Sequence, residues 1–410
     1  MQSTYIAIFL CAILNFAAGC KNTPQPDTIP KPQFEQNEPQ PLLTGAEQVN
    51  EYLPLIGERK IAMVVNQTST IGETHLVDAL LAKDVNIQKI FAPEHGFRGT
   101  ADAGEQVADG RDTRTGLPIV SLYGKNKKPS QEMLVGLDLV VFDIQDVGAR
   151  FYTYISTMSY VMEACAEAGI PVMVLDRPNP NGHYVDGPVL EAGQSSFVGL
   201  HSVPVVHGMT VAEYARMVNG EGWLENGVQC NLSYISCKNY DHNTPYALPV
   251  KPSPNLPNAR SIYLYPSLAF FEGTSFSIGR GTTTQFQVIG HPENRVGDYE
   301  FTPVSMPGAK YPKHENISCK GLNLSELNNE SLRKINRLQL NYLIDMYANF
   351  ADKNSFFNSN NFFNLLAGNE TLKQQIKSGM SEADIRATWE QDLRAFKEMR
   401  KKYLLYKDFE

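Results

Sequence analysis

From Ile61 to Leu175 the chain repeatedly places a short, unbroken apolar run directly before a burst of polar and glycine residues. Ile61–Val65 ends in Asn66-Gln67-Thr68-Ser69, and Ile87–Phe91 ends in Ala92-Pro93-Glu94-His95-Gly96-Phe97-Arg98-Gly99. Leu137–Phe142 runs into Asp143-Ile144-Gln145-Asp146-Val147-Gly148-Ala149-Arg150, and Val172–Leu175 into Asp176-Arg177-Pro178-Asn179. Apolar runs without polar alternation suit strands buried on both faces. The segments between them carry helical stripes, such as Leu76, Ala79 and Leu80, or Ile155, Met158, Val161, Met162 and Cys165. The pattern predicts an α/β fold: a Rossmann-like parallel sheet with right-handed crossovers. No Gly-x-Gly-x-x-Gly follows the first strand, so there is no dinucleotide fingerprint and no cofactor is implied.

In such a sheet the C-terminal strand ends share one edge, and ligands bind in the crevice along it. Glu94 is the first catalytic candidate, because a carboxyl at a cleft mouth flanked by Phe91 and Phe97 suits a general acid. Its structural alternative is a turn cap or an ion pair with Arg98. His95 reads as a binding residue. Asp143 and Asp146, three apart on the next loop, are candidates for the second carboxylate that glycoside hydrolysis uses. Asp146 has an alternative as a cap for the following helix. Arg150 suits a substrate carboxylate and Tyr152 a sugar face, with helix packing as the alternative for Tyr152 or Tyr154. Glu94, His95, His207 and Asp143 lack the His-x-x-x-His or Glu-x-x-His spacing of a metal site, so no metal is expected.

Further along, Thr210 is an expected N-cap for the helical stretch Val211–Asn219, and the proline-rich stretch 245–257 is a candidate domain boundary. Ser331–Ala348 and Ser381–Tyr406 read as helices, and the aromatic, amide-rich run 354–363 as a loop lining something. Glu272 is another possible acid or base. Arg280, inside Gly279-Arg280-Gly281-Thr282-Thr283, fits an anion site or a glycine-rich turn equally well.

At the N-terminus, Ile6–Leu14 is apolar but short for a bilayer span, and Ala17-Ala18-Gly19 precedes Cys20. Residues 1–20 therefore read as a lipoprotein signal peptide with Cys20 as lipidation site, the alternative being an uncleaved anchor. Residues 21–45, rich in Pro, Gln and Asn, read as a flexible tether. Two domains follow, 46–248 and 249–410. The expected location is outside the cytoplasm, facing the periplasm or cell surface, with membrane contact through the lipid alone. The chain has a net charge of −8 and no basic block, which argues against nucleic acid as a partner. Cys165, Cys230, Cys237 and Cys319 have no Cys-x-x-Cys spacing and read as small buried residues.

The runs Phe91–Gly99, Asp143–Tyr154 and Asp176–Pro180 resemble motifs of the NamZ family of bacterial exo-β-N-acetylmuramidases. The resemblance continues through His207-Gly208-Met209-Thr210, Ser253–Pro257, Phe271-Glu272-Gly273-Thr274 and Gly279–Thr283, and covers about residues 46–408. It implies a Rossmann-like N-terminal domain, a smaller mixed α+β C-terminal domain, and an active site in the cleft between them. It also implies release of N-acetylmuramic acid (MurNAc) from the non-reducing end of peptidoglycan fragments, with Glu94 as the leading catalytic residue. On that reading Asp143 or Asp146 assists, and Arg150 and Arg280 bind the lactyl carboxylate. His95, Arg98, Tyr152, Asp176, Arg177, His207 and Glu272 complete the expected substrate-binding set. The sequence departs from the family pattern at Gln285-Phe286-Gln287, where Pro-Phe-Glu is expected. A glycan-binding lipoprotein without turnover and a metal-dependent exported hydrolase are the alternatives from other classes.

Overall fold

The structure, a computed structural model, describes residues 40–98 and 109–410. The leader, Cys20, most of the tether and Gly99 lie outside the described residues. Six parallel strands form the body of the fold: β1 (Ile61–Val65), β2 (Ile87–Ala92), β3 (Pro118–Ser121), β4 (Leu139–Asp143), β5 (Val172–Leu175) and β6 (Leu232–Ile235). Among the described residues they lie in the order 3-2-1-4-5-6, with the short strand Gly110–Arg111 antiparallel on the β3 edge. This is the doubly wound order, and it reverses direction between β1 and β4.

The sequence explains why both faces are covered. Alternate residues of one strand point to opposite faces, so Ile61, Met63 and Val65 of β1 pack with Leu139 and Val141 of β4 under Tyr52, Ile56, Leu76, Val77 and Leu80. Ala62 and Val64 point the other way, with Val140 and Phe142, against Ile155, Met158 and Met162 of the helix Tyr154–Ala168. The edge strand β6 keeps Ser233 and Tyr234, on opposite faces, both exposed.

The second apolar layer does not stop at the proline-rich stretch. Leu256, Phe270, Phe276, Phe286, Met346 and Phe363 belong to the same buried body as Val140 and Phe142. The C-terminal half adds the helix Ala259–Leu268, an antiparallel sheet of Val288–His291, Cys319–Asn323 and Tyr299–Phe301, and a set of helices. Thr210 caps its helix as expected, in a reciprocal box with Glu213. The four cysteines 165, 230, 237 and 319 are buried and free.

Two expected helices are shorter. The segment 331–348 divides into Asn329–Arg333 and Asn341–Asn349. Asn336 turns into the left-handed region (φ 51°), and Asp186 and Ser267 side chains capture the amides of Leu338 and Gln339. The segment 381–406 divides into Glu382–Ala387 and Glu390–Lys401, and the remaining tail runs back over the sheet. There Tyr406 hydroxyl donates to Asp176 and Leu405 amide to Glu213. The aromatic run 354–363 is mostly core: Phe356, Phe357 and Phe363 are buried, while Phe362 reaches the pocket described next.

Candidate active site

A pocket of about 290 Å³ opens at the C-terminal edge of the sheet. Its walls come from loops after β2, β3 and β4 (Glu94 and His95, Tyr123, Phe151–Tyr154) and from the C-terminal half (Ser253, Leu256, Tyr265, Glu272, Arg280, Phe286, Phe362, Leu366). Among the described residues, the carboxylates that line it are Glu94 and Glu272.

Glu94 sits on a tight turn in which His95 (φ 69°) and Gly96 (φ 75°) both take left-handed backbone and the Gly96 amide donates to the Pro93 carbonyl. A histidine pays a steric penalty for that conformation, which is how backbone strain collects at ligand sites. Thr153 Oγ1 donates to Glu94 Oε2 at 2.8 Å. Tyr123 also hydrogen-bonds Glu94; burial first and the Glu94 charge second push its phenol far up, so it keeps its proton and acts as a donor. Tyr154 is held protonated by the same two causes.

Glu272 is built differently. Arg280 Nε and Nη2 donate to Glu272 Oε1 at 2.9 and 2.6 Å. The guanidinium also lies 5.1 Å from the centroid of Phe286, a cation–π contact. Gly279 (φ 80°) and Gly281 (φ 82°) flank the arginine, and a Cβ on either would come within 2.7 Å of neighbouring atoms, so the tight loop needs glycine there. Phe286 itself has φ 54°, a second strained residue in the pocket wall.

Of the expected site residues, Glu94, His95, Tyr152, Glu272 and Arg280 meet in this pocket. Tyr152 donates through its hydroxyl to the Pro252 carbonyl at 2.6 Å, so its ring face is what the pocket receives. The others have partners away from the pocket lining. Asp143 is fully buried and holds Arg177 in a two-point pair, 2.6 Å to Nε and 2.9 Å to Nη2. Arg150 is also fully buried and lies outside the pocket lining, with Nη1 and Nη2 donating to the carbonyls of Pro188, Val203 and Leu366 at 2.8, 2.8 and 2.9 Å. Burial pushes its guanidinium down to about 9.

Asp176 accepts from Thr210 Oγ1, the Ala212 amide and Tyr406, and burial pushes it up to about 6. Asp146 accepts from the Gly148 amide at 2.6 Å and lies 3.8 Å from His207 Nε2. Burial raises Asp146 to about 7 and lowers His207 to about 3, so the histidine is neutral. Arg98 pairs with Asp112 instead of Glu94. Gln287, at the position where the pattern departs, is buried and accepts from Asn258 and Arg260.

Sequence reasoning did not single out Tyr123, Thr153, Tyr265, Phe286 or Phe362 as site residues. Thr153 stood inside the loop already marked and Phe362 inside the run 354–363 expected to line something, but Tyr265 arrives from a distant segment and carries no local signal. Among the described residues, the grouping of carboxylates close enough for a metal is Glu163, Glu167 and Glu225, outside the pocket and bridged by Lys128.

A doubly wound sheet with two carboxylates and aromatic faces in one edge pocket is the layout of a carbohydrate-active hydrolase. The family models agree: residues 61–260 match the N-terminal domain, and 263–406 the C-terminal domain, of the exo-β-N-acetylmuramidase NamZ. The chain belongs to the NamZ family. It is 36% identical, over 99% of its own length and 100% of the other's, to the peptidoglycan β-N-acetylmuramidase NamZ of Bacillus subtilis (strain 168). It also resembles two crystal structures of DUF1343 family proteins from Bacteroides fragilis NCTC 9343. One has a TM-score of 0.83 at 48% identity, covering 90% of this chain and 100% of that one. The second has a TM-score of 0.77 at 29% identity, covering 89% and 99%.

Two predictions follow from the relocated carboxylates. Asp143→Asn should cost about 3–5 kcal/mol in urea unfolding, because it strands a buried Arg177 charge. Its folded fraction should keep kcat/KM within a few-fold; a catalytic Asp143 would give the reverse. Asp146 has a folded value near 7, above its ordinary 3.8. Its contribution to stability is therefore present at low pH and is lost as pH rises toward 7. Asp146→Asn removes that slope, so the melting temperature of the variant relative to wild type should climb from pH 4 to pH 7 and level off above. The slope is on the order of 1.4 kcal/mol per pH unit crossed.

Proposed function

We propose that the protein is an exo-acting glycoside hydrolase that releases MurNAc from the non-reducing end of peptidoglycan fragments, cutting the MurNAc-β-1,4-GlcNAc bond. The observation that carries this reading is one pocket holding a hydroxyl-bound carboxyl, Glu94, together with a guanidinium-bound carboxylate, Glu272. Glycoside hydrolysis asks for two such groups in different environments.

Glu94 protonates the leaving 4-oxygen of the next GlcNAc as the glycosidic bond breaks, with Thr153 and Tyr123 fixing the carboxyl. Glu272 takes the second carboxylate role expected earlier of Asp143 or Asp146: it supports the positive charge that develops on the sugar ring. Water supplies the hydroxyl for the released MurNAc. Arg280 receives the lactyl carboxylate that distinguishes MurNAc from GlcNAc. Tyr152, Tyr265 and Phe362 offer apolar ring faces to the sugar. A pocket of about 290 Å³ lies near the small end of ligand sites, which suits one terminal sugar and an exo mode.

The chain would act outside the cytoplasm in cell-wall turnover, exported by its leader and held to a membrane by lipid on Cys20. Among the described residues no helix is long and apolar enough to cross a membrane.

Turnover is checked by following free MurNAc released from MurNAc-β-1,4-GlcNAc. Wild type should release it, and Glu94→Gln should lose at least about 10²-fold in kcat. A wild type that binds the disaccharide without cutting it would favour the glycan-binding alternative. For the anchor, Cys20→Ser should move the protein from the membrane fraction to the soluble fraction and abolish palmitate labelling; unchanged fractionation would refute it.

A further inference from the structure

Arg280 spends two of its N–H donors, at 2.9 and 2.6 Å, on one oxygen of Glu272. A carboxylate arriving from the pocket would seek those same donors. The pair is not sealed in the core: Arg280 is 25% exposed and Glu272 23%, and both line the pocket. Behind the pair lies a second cavity of about 30 Å³, lined by Glu272, Ser277, Ile278, Arg280 and Lys313. The Lys313 ammonium is fixed there by donating to the carbonyls of Phe271, Glu272, Thr274 and Phe276. Its charge attracts Glu272 and repels Arg280.

We infer that Glu272 occupies Arg280 in place of the substrate's own carboxylate, and that a muramic-acid terminus exchanges one carboxylate for the other. The inference rests on the functional reading above and adds to it how MurNAc is told from GlcNAc. In the exchange one ion pair opens and another of the same kind closes, so no buried charge is left alone. The displaced Glu272 stays at the pocket wall, where the nearby Lys313 charge compensates it and where it faces the sugar ring. GlcNAc carries no carboxylate and leaves Glu272 held. Recognition of the lactyl group and release of the second carboxylate are then one event. Phe286, strained beneath the guanidinium, keeps Arg280 at the exchange point while its partner changes.

The test is calorimetric binding of MurNAc and of GlcNAc to the full chain, wild type against Glu272→Gln, with melting curves confirming that both are folded. Removing the internal competitor should raise the MurNAc/GlcNAc affinity ratio at least about fivefold, the lower end of coupling between competing sites. An unchanged or lower ratio would overturn the exchange. Arg280→Gln should bring the ratio close to one; a preserved preference there would also overturn it, since the carboxylate would be read elsewhere. A wild type that binds neither sugar would bring down the functional reading and this inference together. MurNAc binding with an unmoved ratio brings down the inference alone.

Discussion

The pocket depends on one buried cation. Arg150 leaves the loop after β4 and enters a site where, among the described residues, three backbone carbonyls and no carboxylate solvate it. Two of those carbonyls belong to the 188–203 region and the third to Leu366, in the C-terminal half. A guanidinium has a rigid planar fork, so it fixes the mutual positions of the three segments it binds. Gly199 and Gly368 pack against it, and a Cβ at Gly368 would come within 2.5 Å of Nη2. Leu366 lines the pocket, and so do Phe151–Tyr154, which follow Arg150 directly. The two halves of the wall are therefore joined through a charge buried outside the pocket lining. Taking such a charge out of water costs several kcal/mol, and losing its acceptors would leave that cost uncompensated.

Other polar groups at the sheet edge work in the same way. Asp143 and Arg177 join the β4 and β5 loops, and Asp176 joins β5 to Thr210 and to the C-terminal tail through Tyr406. The edge of a doubly wound sheet is rich in charge for two reasons, of which ligand binding is one. The other is that its loops have no ladder to hold them and need side-chain hydrogen bonds instead.

That double use explains what could be read from the residues. The strands, their burial on both faces and the edge that holds the site follow from local patterns such as Ile61–Val65 and Leu139–Asp143. Glu94, His95 and the Gly-Arg-Gly loop were legible because their turns carry their own signature in adjacent residues. Asp143, Arg150 and Asp176 looked equally functional, since a sequence shows a charge without showing its partner. Their partners lie 34, 216 and 230 residues away. A charge with a distant buried partner and a charge awaiting a ligand look alike until the chain is folded. Gln287 is the converse case: the departure from the family pattern falls on a buried amide bonded to Asn258 and Arg260.

The two pocket carboxylates are fixed by donors of different kinds, and that difference separates their roles. Thr153 and Tyr123 are hydroxyls, which can serve a carboxyl whether or not it carries its proton, so they fix the position of Glu94 without opposing proton transfer from it. Glu272 Oε1 accepts from both Nε and Nη2 of the Arg280 guanidinium, a charge-assisted pair. A general acid must pass through both protonation states during turnover, while a group that supports an oxocarbenium-like transition state must stay charged throughout. The proposed assignment of acid to Glu94 and of the charged partner to Glu272 rests on this difference between their donors.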